Sequence, residues 1–169
     1  MLYGIVIYKW TQNCKQKAKV PKQKGDIHTV YQLYIYIYKY FNIYINNLEE
    51  FWNELSECVG SFGRNESVVV LGDFNARVGN EVIEGIVGRH GVPGRNESGE
   101  RLLEMCAEQE LVVCSSWFKK NDVYKYTWLR MTEGRVVDKA LMDYVLLPRR
   151  MLGRLLDVKV WRGEGGGIV

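Results

Sequence analysis

Residues 68–76 read VVVLGDFNA. Three valines and a leucine in unbroken succession leave no polar face, the pattern of a strand buried on both sides. The run stops at Gly72 and is followed by Asp73, Phe74, Asn75 and Ala76. Glycine lets the backbone approach a ligand closely, and the ends of buried strands are where α/β folds place their chemistry. Asp73 and Asn75 are two apart, so a chain that stayed extended would put both side chains on one side. A carboxylate beside an amide can hold a hard cation and a phosphate together. The same residue types are also common in turns, where they bond their own backbone. On these nine residues both readings stand.

Upstream, residues 48–62 read LEEFWNELSECVGSF. Apolar residues at 48, 51, 52, 55, 58, 59 and 62 follow helical spacing, which predicts an amphipathic helix. Glu49 and Glu50 suit its first turn, and Gly60 and Gly63 mark its end. Downstream, the Gly- and Asn-rich residues 77–98 predict a long loop. GERLLEMCAEQEL, residues 99–111, predicts a second helix with Ser98 as N-cap. Further strands are expected at 111–114, 126–129, 140–147 (closed by Pro148) and 158–161. Short strands mixed with helices predict a layered α/β domain over residues 48–169.

Two further positions stand out. Asp143 lies inside the apolar run ALMDYVLL, where an unpaired carboxylate is costly, so it either pairs for structure or faces a site. Trp128 follows Thr127 on an expected strand. Such a Trp usually belongs to the core, but at a strand end it can stack on a base.

Residues 1–47 are composed differently. They hold seven lysines against one acid and eight of the eleven tyrosines, whereas fifteen of the 17 glycines come later. This predicts an extension outside the domain. Lys15–Lys24 reads as a solvated basic connector. Residues 30–45, VYQLYIYIYKYFNIYI, are β-prone and low in complexity. They are shorter than the ~20 apolar residues a membrane helix needs, and no signal peptide is read at the start. No membrane partner is therefore expected, and the compartment is expected to be intracellular, nuclear or cytoplasmic.

For the whole chain, 47% hydrophobic and 25% charged residues exclude wholesale disorder, and a net charge of +3 is too small to argue for nucleic acid by itself. Cys14, Cys58, Cys106 and Cys114 make no zinc spacing with His28 or His90, and free buried thiols are expected.

The ordered set VVVLGDFNARVG, a Gly-rich loop with Asn96 and Gly99, ERLLEMCAEQELVV, YTW and MDYVLL resembles the endonuclease/exonuclease/phosphatase family. Within it, the likeness is to the endonuclease domains of LINE-type (non-LTR) retrotransposons and to craniofacial development protein 2-like proteins. The resemblance implies part of a four-layer α/β sandwich and Mg²⁺-dependent cleavage of phosphodiesters, chiefly in DNA. It implies that Asp73 orients or deprotonates the attacking water and offers a metal ligand, and that Asn75 binds the scissile phosphate. It further implies that Asn96 contacts nucleic-acid phosphate or helps shape the site, that Trp128 packs against the site, and that Asp143 holds a catalytic His in its tautomer.

The resemblance also implies residues that this sequence does not show. The family's first half supplies an Asn and a Glu for the metal and a Tyr-Ala-Pro strand end, and nothing in residues 1–47 reads so. A Ser-Asp-His triplet is due where the chain has Gly165, Gly166 and Gly167. The expectation is a retroelement-derived fragment that is inactive in isolation. The alternative is a non-enzymatic interaction module on the same half-fold.

Overall fold

The computed structural model describes residues 3–8, 30–35, 48–62 and 67–161. The chain runs β1 (Tyr3–Tyr8), β2 (Val30–Ile35), α1 (Leu48–Gly60), β3 (Ser67–Asp73), α2 (Glu97–Glu108), β4 (Leu111–Val113), β5 (Trp128–Thr132), β6 (Arg135–Ala140), β7 (Asp143–Pro148) and β8 (Leu155–Trp161). Short 3₁₀ turns cover Cys114–Trp117, Asp122–Tyr124 and Arg149–Arg154. The architecture is mixed α/β.

A four-stranded sheet of order β2-β3-β7-β4 lies at the centre. β2 runs parallel to β3, and β7 is antiparallel to both β3 and β4. Alternate residues of each strand serve two different cores, as period 2 requires. Val68, Val70, Tyr144 and Leu146 pack with Trp52, Leu55 and Val59 of α1 and Leu102, Met105 and Cys106 of α2. On the other face, Val112, Val145 and Leu147 pack with Met151, Leu155 and Val158. Helices, central sheet and β8 thus form three layers among the described residues. Val69 and Leu71 are half-buried on the β8 side, so β3 is fully buried on one face only.

β8 pairs in parallel with β1, and β2 pairs with β3 from Val30↔Ser67 to Ile35↔Gly72. Two stretches of the N-terminal extension therefore join these sheets, where composition had placed the extension outside the domain. Their Tyr, Ile and Val content suits strand formation, and they occupy edges that β3 and β8 would otherwise leave unpaired. The basic tract 15–24, Cys14, His28, residues 36–45 and the glycines after 162 lie outside the described residues.

Several local expectations change. α2 begins at Glu97, capped by Asn96 and not by Ser98: the Asn96 side chain accepts the N–H of Gly99 at 2.9 Å. Cys58 is exposed, at the margin of the α1 stripe, while Cys106 and Cys114 are buried free thiols as expected. Burial pushes the Cys106 thiol up to about 12 and raises that of Cys114 too. β6 was not expected at all, and Ala140 closes it instead of opening β7. The β5–β6 ribbon turns through Glu133 (φ 50°) and Gly134 (φ 75°) between the paired Thr132 and Arg135, the backbone of a two-residue hairpin turn.

Candidate functional site

Asp73 is the last residue of β3 and Asp143 the first of β7, and they face each other in register. Directly opposed residues of an antiparallel pair project to the same face, with Cβ atoms ~4.5–5.5 Å apart. The tertiary pairing thus joins two carboxylates that lie seventy residues apart in the chain. Both are half-buried. Burial holds the Asp73 carboxyl above its ordinary range, opposed by the hydrogen bond it accepts from the Asn75 N–H.

That bond, Asn75 N to Asp73 Oδ1 at 2.9 Å, is an Asx-type turn. Asn75 has φ 47°, a left-handed conformation that Asn tolerates better than most residues. The chain is therefore not extended past Asp73, and the period-2 argument for Asp73 and Asn75 does not apply. The turn reading describes the local backbone, and it fixes Asn75 beside the carboxylate pair. Phe74 inside the turn is buried, its ring stacked on Trp52 at 6.2 Å and tilted against Tyr144 at 6.3 Å.

Asn96 comes to the same place from the loop. Its Oδ1 accepts from Arg77 N (2.7 Å) and Gly99 N (2.9 Å), and its Nδ2 donates to Asn75 O (2.9 Å). Its amide is engaged in holding the Asn75–Arg77 backbone to the start of α2. Of the two roles the resemblance implies for Asn96, a phosphate contact and shaping the site, these bonds are of the second kind. Trp128 opens β5 opposite Ala140 and is 36% exposed, so it is not a core tryptophan.

Three further residues complete the frame. The buried Tyr144 hydroxyl lies 2.8 Å from Leu141 O and 3.1 Å from Ala76 O, tying the two strand ends together. Burial raises its pKa. Thr127 Oγ1 accepts from Met142 N and Asp143 N. Arg77 lies 3.5 Å from Asp138 and, with Lys139, Pro93, Gly94, Leu141 and Tyr144, lines a shallow cleft beside the turn. Lys139 bonds Asp122, which raises its pKa. The apolar neighbourhood of Tyr144, in MDYVLL, was the signal available for that residue; none pointed to Arg77.

The donors at the pair are hard oxygens, the type Mg²⁺ takes. Among the described residues, no group of three or more His, Cys, Asp or Glu side chains gathers to hold a metal. His90 sits in the loop, with its N–H on Ser116 O at 2.8 Å. No helix among the described residues is long and apolar enough to cross a membrane.

The chain has relatives. It is similar to craniofacial development protein 2. Identity is 31% over 117 residues with the Bos taurus protein, covering 69% of this chain and 19% of that one. It is 30% over 117 residues with the Tragulus javanicus protein, covering 69% and 20%. The chain spans about a fifth of the length of these curated relatives. No protein-family model matches it.

Proposed function

We propose that residues 48–169 derive from a phosphodiesterase domain of the endonuclease/exonuclease/phosphatase type, of LINE-type retrotransposon descent, whose ancestral substrate is DNA. The observation that carries the reading is the register of Asp73 against Asp143 at the ends of two central strands, with Asn75 held next to them by an Asx turn. The ordered motifs and the similarity to craniofacial development protein 2 support it. The three layers seen would be part of the four-layer sandwich.

In that chemistry Asp73 is the proton acceptor for an attacking water. Its burial raises its proton affinity, which favours a general base. Asn75 is the donor for a phosphate oxygen, and a neighbouring phosphate would compete with Asp138 and Asp122 for Arg77 and Lys139, which line the adjoining cleft. Mg²⁺, which the resemblance implies, would take Asp73 as a ligand and otherwise rely on phosphate and water. Asp143 would orient a His.

The chain by itself is proposed to be inactive. Neither of its two histidines falls in a Ser-Asp-His triplet, and loss of one transition-state donor typically costs ~10²–10³ in rate. The test is plasmid nicking by the purified chain in Mg²⁺, with Asp73→Ala alongside. No nicking is expected, and nicking abolished by Asp73→Ala would overturn the inactive reading. The DNA reading is tested separately by a gel shift with duplex DNA at low salt. Binding weakened by Lys139→Ala and by added salt is expected; no binding at low salt would refute it.

A further inference from the structure

We propose that Thr127 is a positioning residue that sets where Asp143 stands against Asp73. The proposal rests on the reading of those two carboxylates as the reactive pair. It comes from a corner in the chain. β6 ends at Ala140 in the outer ribbon and β7 begins at Asp143 in the central sheet, so two residues, Leu141 and Met142, carry the chain from one sheet to the other. A corner this short has no ladder of its own, and its buried polar groups need other partners.

Thr127 spans the corner. Its N–H donates to Ala140 O at 3.0 Å, before the bend. Its hydroxyl accepts from Met142 N at 3.0 Å and Asp143 N at 3.2 Å, after the bend. Two lone pairs on one hydroxyl suffice for two such bonds. The remaining corner groups are held elsewhere: Leu141 O by the Tyr144 hydroxyl and Met142 O by the N–H of Phe74. Thr127 is 7% exposed, so water does not readily replace its hydroxyl. Asp143 is thereby fixed from two sides, by its register with Asp73 and by a side chain from the ribbon. Removing the hydroxyl takes away both of these bonds and loosens the hold of the ribbon on the main chain of Asp143. Serine keeps the hydroxyl; valine keeps the shape and loses it.

The test uses the whole chain and nuclear magnetic resonance. Thr127→Val is expected to speed amide exchange at Met142 and Asp143 by about tenfold, the scale of one lost hydrogen bond. It is also expected to move the carboxyl-carbon signals of Asp73 and Asp143 while leaving that of Asp157 in place. Thr127→Ser restores both. Unmoved Asp73 and Asp143 carboxyl signals in Thr127→Val would overturn the proposal, even with a lowered melting temperature, because the role would then be merely structural. Should Thr127→Val fail to fold, the natural chain decides. Slow exchange at both amides supports the proposal, and exchange as fast as at Glu133 and Gly134 in the exposed turn overturns it. The duplex-binding experiment tests the DNA reading on which the role of the pair rests, and it does not depend on Thr127, so the two failures are distinct.

Discussion

At Asp73, burial raises the carboxyl pKa and the Asn75 N–H only partly offsets it. A carboxyl raised by folding binds more protons in the folded chain than in the unfolded one. Its contribution to stability is full below the unfolded value of about 4 and is lost as pH rises through the higher folded value. Asp73→Asn keeps an oxygen for the Asn75 N–H and has no charge to bury. The variant is therefore expected to gain stability over the natural chain as pH climbs from about 4 to 7, read as urea midpoints across a pH series. A gap that narrows with rising pH would contradict this. Gly99 is a second decisive residue. A Cβ there would sit 1.9 Å from Arg77 O, so the backbone would have to part where Asn96 holds it together. Gly99→Ala is expected to destabilise by ~1–3 kcal/mol in equilibrium unfolding.

Elements with a strong period were readable and elements without one were not. The α1 stripe carries Trp52, Leu55 and Val59 into the core, as its spacing predicts. The unbroken VVVL run is a strand with alternate residues in two cores. β6 escaped because Arg135, Val136 and Val137 are exposed and leave no period to follow. Its signal was the turn, Glu133-Gly134, where both residues adopt positive φ. Asn-Gly is the favoured pair for such a turn, and Glu is poorly suited to the left-handed position. Glu133→Asn is expected to stabilise by about 0.5–1 kcal/mol, seen as a small rise in melting temperature. An unchanged or lowered melting temperature would mean that this turn does not limit the ribbon.

At the scale of the molecule, the paired extension has a consequence for solution behaviour. β1 lies on β8 and β2 on β3, so a chain beginning at Leu48 would present both partner edges unpaired. Open, apolar edges template association. Such a shortened chain is expected to self-associate in sedimentation where the full chain does not, and a monodisperse shortened chain would show that these pairings are dispensable. Sequence alone determined the α/β class, the first helix, the central strand and the identity of the acid and amide side chains, because period and side-chain type act over a few neighbouring residues. It could not determine that Asp143 faces Asp73, that Asn96 buttresses Asn75, or that Thr127 spans the corner before Asp143. Each of these joins residues 16 to 70 positions apart through strand register and backbone hydrogen bonds. Register and corner geometry come from how the sheets pack, and many sequence separations are compatible with the same local pattern. Only the tertiary structure brings the pair, its turn and their supports together.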